Sequence, residues 1–385
     1  MTNILFIHQS ADLYGSDKTL LLLLTKLNKS RFNPIVVIPV DGPLREELEQ
    51  RNIKVIIAPV LKIYRKMFTP KNIFLFFKQI KKGVATLDKL NDEYNFDIVY
   101  SNTLAVLLGM FYAKKRKIKH IWHVHEIIVH PKIIAYIFPK LLNKYADVVV
   151  CNSKATMDNL ISRQKKLAIK AQVIHNGLKP LNDDYVKISR EELGFEKNDF
   201  IITLIGRINR LKGHKWLLNT YIDNFKSNKN IKLLFVGSPV LGQEYYLEEI
   251  EEIIKEKNLN EFVKILGFKK DLRPILNLTD VLAVPSTEAE SFGLVALEAM
   301  LAKKPVIGSN HGGLTEIIID NKTGFLIEPN NENELSKAIE SLIKNKDLRT
   351  QFGQNGYQRA VAEFSVDKYI NNFEKLFEEM VPNKN

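Results

Sequence analysis

Short apolar runs alternate with helical patterns along the chain, and this alternation predicts the fold. In the first half, six runs rich in Ile and Val are apolar almost throughout, and stretches with helical spacing lie between them, the first at about residues 16–28. Strands of this composition are typical of a parallel sheet that is covered by helices on both faces. The six predicted strands cover residues 3–8, 34–40, 53–58, 97–100, 118–124 and 147–151.

The alternation pauses over residues 178–198, which we interpret as a linker, and then restarts. The second set of predicted strands covers residues 200–205, 232–236, 262–266, 281–284, 305–307 and 324–327. Two repeating halves predict an α/β protein with two doubly wound, Rossmann-like domains that face each other across a cleft. We expect an N-terminal domain at 1–180, a C-terminal domain at 181–365 and, at 366–385, a C-terminal helix that can cross back to the N-terminal domain.

Composition narrows the class of protein. The 385 residues include one cysteine, Cys151, which excludes an internal disulfide and a cysteine-based structural zinc site. No apolar stretch approaches the ~18–20 residues of a membrane span, and the N-terminus lacks the cationic segment of a signal peptide. We therefore expect a cytoplasmic protein that does not span the membrane.

The net charge of +12 is distributed unevenly. Residues 1–180 hold 29 Lys and Arg against 13 Asp and Glu, whereas residues 181–385 hold 27 against 31. A basic surface implies an anionic partner, such as a nucleic acid, an anionic lipid or a phosphorylated substrate. The segment from Leu61 to Lys82 combines seven Lys and Arg with several aromatic side chains and has no Asp or Glu. It predicts contact with an anionic membrane surface; the alternative is a solvated face above an aromatic core stripe.

The residues that follow the predicted strands are candidates for chemistry, because ligands bind at the carboxyl ends of parallel strands. After strand 200–205, Gly206 lets a ligand approach the backbone, and the side chains of Arg207 and Lys212 can converge on one anion. The alternative is a solvated loop with two basic residues.

Two glutamates flank the start of the helix that follows strand 281–284. Glu298 is the only charge between Phe292 and Ala302, on a helix apolar enough to be largely buried. A buried carboxylate needs donors, and a pair of sugar or ribose hydroxyls would serve. Glu290, in the turn before the helix, can meet a second polyol. The alternative is an internal salt bridge for Glu298 and a solvent-exposed Glu290.

Glycines precede two further predicted helices. Gly312 and Gly313 precede one of them, and Gly15, followed by Ser16, precedes the other. The free N–H groups of a helix start suit a phosphate. The alternatives are a tight turn at the glycine pair and a simple N-cap at Ser16. Neither a GxGxxG nor a Walker sequence is present, which argues against a dinucleotide dehydrogenase and a P-loop NTPase.

Two histidines, His123 and His125, end the predicted strand 118–124 and share one face of it. Either ring can bond a substrate hydroxyl at the carboxyl end of the strand, or be a packed strand residue. Because no convincing third ligand lies near them in the sequence, we expect no metal site.

In order and at matching strand ends, these motifs resemble those of the retaining GT-B glycosyltransferases of family 4, over nearly the whole chain. The segments that carry the resemblance are 206–213, 290–298, 312–324, 151–153, 173–177 and 284–286. The resemblance implies a nucleotide-diphosphate sugar as donor and co-substrate, with no other cofactor and no metal. It also implies attack by the acceptor on the face of the leaving group, with the diphosphate taking the acceptor proton.

The resemblance implies four catalytic residues. Arg207 and Lys212 would neutralise the donor diphosphate, Glu290 would bind the donor sugar, and His125 would lie near the reacting centre. Glu298 would bind the ribose hydroxyls. The implied substrate-binding positions are Gly15, Ser16, Gly206, Phe292, Gly293, Leu294, Glu298, Gly312 and Gly313. The family often has a second glycine where this chain has Ser16, which weakens the phosphate contact expected there.

The function that follows is transfer of a hexose-type sugar, with retention, to a glycan acceptor. We expect a lipid-linked acceptor, in the synthesis of a bacterial surface polysaccharide such as O-antigen, lipopolysaccharide or capsule. The enzyme would then be peripheral on the inner face of the plasma membrane. Two alternatives stay open: a basic nucleic-acid-binding protein, and a GT-B relative such as a nucleotide-sugar epimerase or a phosphorylase.

Overall fold

The computed structural model describes residues 1–61, 70–182 and 184–382. Most of the segment from Leu61 to Lys82, predicted to contact a membrane, lies outside the described residues: its positions 62–69 are not described, nor are the side chains of 70–77. In the described part of the chain, no helix combines the length and the apolar character needed to cross a bilayer.

A parallel sheet of seven strands, counted over the described residues, forms the centre of the first half, in the order β3-β2-β1-β4-β5-β6-β7. The strands are β1 Thr2–His8, β2 Phe32–Ile38, β3 Lys54–Ile57, β4 Ile98–Asn102, β5 Lys119–Val124, β6 Val148–Cys151 and β7 Ala171–Val173. The helices are α1 Gly15–Lys26, α2 Pro43–Glu49, α3 Pro70–Tyr94, α4 Leu108–Arg116, α5 Lys132–Tyr145 and α6 Lys154–Arg163, followed by a 3₁₀ turn at Lys165–Ile169. All six predicted strands are present, and β7 is additional.

A second parallel sheet, of six strands among the described residues, has the order β10-β9-β8-β11-β12-β13. The strands are β8 Phe200–Ile205, β9 Ile231–Val236, β10 Val263–Leu266, β11 Val281–Val284, β12 Val306–Ser309 and β13 Gly324–Ile327. The helices are α7 His214–Asn224, α8 Tyr245–Glu256, α9 Arg273–Leu278, α10 Leu294–Leu301, α11 Leu314–Ile317, α12 Glu332–Lys344, α13 Lys346–Glu363 and α14 Val366–Met380, and a 3₁₀ turn covers Glu191–Leu193. The prediction of two doubly wound α/β halves is confirmed.

The chain divides into two compact units, one of residues 1–177 with 366–385 and one of residues 178–365. Helix α14 packs on the first unit, where Phe377 meets the ring of Phe6 at 6.2 Å and the hydroxyl of Tyr369 donates to the carbonyl of Thr19 at 3.3 Å. Residues 178–198, which we expected to be a linker, place apolar side chains such as the buried Phe195 against the core of the second unit. Their irregular spacing hid this packing from the sequence pattern.

Each sheet has one point where the strand order reverses. Strand β1 lies between β2 and β4, and strand β8 lies between β9 and β11. The loops that leave such neighbouring strands diverge and open a crevice at the carboxyl edge, which is where doubly wound sheets bind ligands. Gly15 follows β1, Gly206, Arg207 and Lys212 follow β8, and Glu290 follows β11, so these candidate residues lie in such loops.

Candidate active site

The loop after β8 is fastened to the loop after β11. The backbone N–H of Thr287 donates to the carbonyl of Leu211 at 2.9 Å. Gly213 has a φ of +76°, and a Cβ at this position would lie 1.9 Å from the carbonyl oxygen of Pro285. Only glycine fits so close to another backbone in this conformation. The contact holds the preceding residue, Lys212, against the second loop.

Lys212 and Glu290 form an ion pair at this edge. The Lys212 Nζ lies 2.6 Å from the Glu290 Oε1, and the Ser286 hydroxyl donates to the same oxygen at 2.6 Å. The two side chains are 24% and 15% exposed. Burial opposes ionisation of Glu290, but the charge of Lys212 and the two hydrogen bonds lower the pKa of its carboxyl. Because an ammonium has three N–H groups, Lys212 can donate a hydrogen bond to a ligand while it stays bonded to Glu290.

The loop after β12 contacts the loop that carries Glu290 through its glycines. The N–H of Gly313 donates to the carbonyl of Glu290 at 2.7 Å. Because this N–H already has an acceptor, it does not point at a phosphate. Gly312 has a φ of +63°, and a Cβ there would lie 2.3 Å from the Glu290 carbonyl oxygen. Next to the pair, the His311 ring bonds the carbonyl of Ser286 at 3.0 Å. The glycines therefore permit a close approach of two loops.

Gly313→Ala tests this close approach. Its φ is an ordinary −66°, but an added Cβ would lie 2.5 Å from the Phe292 Cα. We expect the variant to lose about 1–3 kcal/mol of unfolding free energy, as in overpacked sites, measured by urea denaturation. The control is Gly267→Ala, where an added Cβ would lie 3.8 Å from the Ser238 hydroxyl oxygen. Equal stability of both variants would contradict the packing described.

Helix α10 presents one partly exposed face beside this cluster. Its first residue, Leu294, and Glu298 are half-buried and share that face at a spacing of four, whereas the rest of the helix is mostly buried. Gly293 precedes the helix with a φ of +104°. The Phe292 ring is buried and packs edge-on against Phe364 at 5.9 Å. The Phe292 side chain therefore belongs to the core, whereas Glu298 lies on the partly exposed face of the helix.

The remaining predicted residues of this unit follow β8 directly. The Gly206 N–H continues the ladder to the Val236 carbonyl at 2.9 Å, and a Cβ on Gly206 would meet the Lys212 stem at 3.3 Å. Arg207 is half-buried. The structure thus joins Lys212, Glu290 and the glycine pair by direct contacts, and it places Gly206 and Arg207 at the same edge of the sheet.

In the first unit, a chain of hydrogen bonds runs along the carboxyl edge of β1, β4 and β5. The His8 Nε2 donates to Asp17 Oδ1 at 2.5 Å, Asn102 Nδ2 donates to His8 Nδ1 at 2.9 Å, and His125 Nε2 donates to Asn102 Oδ1 at 2.9 Å. These directions assign the proton of His125 to Nε2 and leave its Nδ1 as the acceptor. Burial, assisted by the nearby His8, lowers the pKa of His125 to about 3 despite Asp17, so the ring is neutral at neutral pH.

The two histidines of β5 differ in access. His123 is buried, with its Nδ1 2.5 Å from the Tyr100 hydroxyl and its ring 5.4 Å from that of Phe373. His125 is half-buried. This geometry favours His125 as the histidine that meets a ligand.

Helix α1 begins at Gly15, and its N-cap is Tyr14. The alternative of an N-cap at Ser16 was therefore wrong, because Ser16 already lies inside the helix. Gly15 is exposed, and a Cβ there would meet no atom within 4 Å. Packing does not require a glycine at this position.

Several polar residues at the carboxyl edges of the two sheets were not predicted from the sequence. His8 and Asn102 are the last residues of β1 and β4, and Ser286 and His311 lie in the loops after β11 and β12. The signal was the position itself: a polar residue at the end of an apolar strand. Asp17 gave no such signal, since an acidic residue in the first turn of a helix is common.

Known proteins match this chain along most of its length. The model of glycosyl transferases group 1 matches residues 185–359, and the model of glycosyltransferase family 4 matches residues 15–180. An uncharacterized glycosyltransferase of Methanocaldococcus jannaschii is 29% identical over 344 residues, which are 87% of each chain. The N-acetylgalactosamine-N,N'-diacetylbacillosaminyl-diphospho-undecaprenol 4-alpha-N-acetylgalactosaminyltransferase of Campylobacter jejuni is 24% identical over 79% of each chain.

Among solved structures, Anabaena HepE in complex with UDP-glucose superposes with a TM-score of 0.85 and 25% identity. The match covers 98% of this chain and all of that one. It confirms the prediction of the GT-B fold. Together with the two family models, it establishes the class of reaction, transfer of a sugar from a nucleotide sugar. The chain therefore belongs to the retaining glycosyltransferases of family 4.

Proposed function

We propose that the protein transfers a sugar from a nucleoside-diphosphate sugar to a lipid-linked glycan acceptor, at the inner face of a bacterial plasma membrane, during synthesis of a surface polysaccharide. The observation that carries the donor half of this proposal is the Lys212–Glu290 pair, held at 2.6 Å beside the start of α10. The pair offers a cation for a diphosphate and a carboxylate for sugar hydroxyls at one edge of the second sheet.

The chemistry needs charge stabilisation. When the bond between the sugar and the phosphate breaks, its electron pair leaves on the diphosphate oxygen, and positive charge develops on the sugar ring. Arg207 and Lys212 stabilise the leaving diphosphate, and fixed charges in a site with little water are efficient at this. The acceptor oxygen bonds to the sugar carbon on the same face, and its proton passes to the departing phosphate oxygen.

The carboxylates and glycines position the donor. Glu290 accepts hydrogen bonds from the sugar hydroxyls, together with donors from the backbone between Phe292 and Leu294. Glu298 accepts from the two ribose hydroxyls. For the first unit we propose the roles that the resemblance implies, with Gly15 near the donor phosphate and His125, whose Nδ1 is an acceptor, near a sugar hydroxyl.

The acceptor half of the proposal has two supports. The Campylobacter relative is named for an acceptor on diphospho-undecaprenol, and residues 1–180 carry an excess of sixteen positive charges. A basic surface attracts anionic lipids and a diphosphate-linked acceptor. The segment from Leu61 to Lys82 remains a proposed membrane contact.

A thermal-shift screen tests the donor half. Each of UDP, GDP and dTDP, alone and with its common sugars, is added to the full chain, because a ligand that binds the folded state stabilises it. We expect one nucleotide to raise the melting temperature of the protein. A sugar donor that carries this nucleotide should then support transfer to a diphosphoprenyl acceptor. No stabilisation by any nucleoside diphosphate would refute the proposal, and donor turnover without an acceptor would point to another GT-B reaction.

Glu298→Ala tests the ribose contact. Loss of a hydrogen bond to a charged group costs about 1.5–3 kcal/mol, so we expect nucleotide affinity to fall by about 10- to 150-fold. The measurement is titration calorimetry with the nucleoside diphosphate found in the screen. Glu340→Ala, at an exposed residue of helix α12 that pairs with Lys344, is the control. Unchanged affinity in the Glu298 variant would remove this residue from the site.

A further inference from the structure

Helix α5 exposes a stripe of apolar side chains on the face that points away from the core. Its inner side chains, such as Phe138 and Leu142, are buried in the first unit. On the outer face, Ile133, Tyr136 and Ile137 are 67%, 56% and 42% exposed. Their spacing of three and four places them on one stripe. A helix that is apolar on both faces needs a second apolar environment.

The charged side chains of the segment that contains α5 are all positive. Residues 127–146 contain no Asp or Glu, and Lys132, Lys140 and Lys144 are exposed. Lys140 lies over the ring of Tyr136, with its Nζ 4.1 Å from the ring centroid. Aromatic and aliphatic side chains flanked by lysines are typical of helices that lie in the interface of an anionic bilayer.

A basic cavity of about 490 Å³ continues the surface at the C-terminal end of α5. Its charged lining consists of Lys114, Lys117, Lys119, Lys144, Lys170 and Asp147. The one carboxylate in this lining faces Lys119 at 3.6 Å, and the Lys170 ammonium donates to two carbonyls of the helix end. The cavity therefore has a net positive charge, which suits lipid phosphates.

We propose that the outer face of α5 is a membrane-docking surface for anionic lipid, with Ile133, Tyr136 and Ile137 in the interface and the lysines on the headgroups. This deepens the proposed function and rests on it. An anionic surface attracts each of these lysines, and burial of the apolar stripe adds to the binding. Because α5 begins seven residues after His125, docking brings the carboxyl edge of β5 close to the lipid that carries the acceptor.

A second copy of the chain is the less favourable occupant. In a two-fold dimer the same patch meets itself, so the lysines at both ends of the stripe would approach the lysines of the other copy. Like charges in such contacts are repulsive. A bilayer with anionic headgroups supplies the opposite charge along the whole stripe.

The test is co-sedimentation of the full chain with vesicles of phosphatidylcholine alone and with 30% phosphatidylglycerol, at about 0.1 M and 1 M salt. We expect binding to the anionic vesicles that weakens at high salt. Ile133→Ser with Ile137→Ser should lower the partition coefficient at least tenfold, while the control Leu241→Ser, at an exposed apolar side chain of the second unit, should leave it unchanged. Stabilisation by nucleotide should be equal in all three proteins.

Three outcomes would overturn the proposal: no binding of the wild-type chain to anionic vesicles, equal binding of the double variant and the wild type, or a dimer in sedimentation velocity that only the double variant abolishes. The first two would exclude α5 as the docking surface, and the third would assign the stripe to a second copy. Nucleotide stabilisation distinguishes these results from failure of the proposed function, because it reports on the donor site alone.

Discussion

Lys212→Ala is expected to lower kcat by about 100- to 1000-fold, because a fixed group that stabilises charge in a transition state commonly contributes about 3 kcal/mol. Its Nζ is held at the edge of the second sheet by Glu290 and by the backbone contact at Gly213. The measurement is the rate of nucleoside diphosphate release at saturating donor, with the acceptor present.

Lys215→Ala is the matched control for that variant. Lys215 lies three residues further along, is 54% exposed and pairs with Glu249 on the surface. Exposed pairs of this kind contribute about 0–1 kcal/mol, so the control should keep the wild-type kcat and stability. A Lys212 variant as active as the Lys215 variant would exclude Lys212 from stabilising the leaving group.

Glu290→Gln is expected to lower kcat/KM by about 10- to 150-fold. The carboxylate anchors Lys212 and is the proposed acceptor for sugar hydroxyls, and a hydrogen bond to a charged group is worth about 1.5–3 kcal/mol. The amide keeps the shape but loses the charge, so Lys212 is less firmly held. Glu288→Gln is the control, since Glu288 makes a surface pair with Arg210. Equal kcat/KM in the two variants would contradict the proposed role.

The same variant has a pH signature. The pKa of Glu290 is lowered from its ordinary 4.5, because Lys212 and two hydrogen bonds outweigh its burial. A lowered carboxyl pKa stabilises the folded state above pH 4.5, and this stabilisation is lost as the pH falls through the folded-state pKa. The difference in unfolding free energy between wild type and Glu290→Gln should therefore be full at pH 7 and shrink below pH 4.5. A difference that grows on acidification would show that Glu290 is not ionised in the folded protein.

The strands were predictable because they are buried and therefore have continuous apolar sequences. Twelve strands of the described structure match such runs, whereas β7 has only three residues with Gln172 at its centre and forms none. The packing of residues 178–198 was not predictable for a related reason: these residues bury scattered side chains without a regular period. The start of α1 was misassigned because Ser16 has a capping side chain, although the helix already begins at Gly15.

The candidate site was predictable in its residue types but not in its contacts. Residues at the ends of β8, β11 and β12 share an edge once the strand order is known. The pairing of Lys212 with Glu290, 78 positions apart, depends on backbone contacts that spacing cannot reveal. Nor could the sequence show that the Gly313 N–H is taken by the Glu290 carbonyl, which moves the role of that glycine from phosphate binding to loop packing.

A crystal structure with the bound nucleotide sugar would test the central claim most directly. We predict that the diphosphate lies within hydrogen-bonding distance of the Lys212 Nζ and the Arg207 guanidinium, with the sugar at Glu290 and the ribose at Glu298. A diphosphate bound elsewhere, for example in the basic cavity at the end of α5, with Lys212 and Glu290 still paired and far from the ligand, would contradict the assignment of this edge as the donor site.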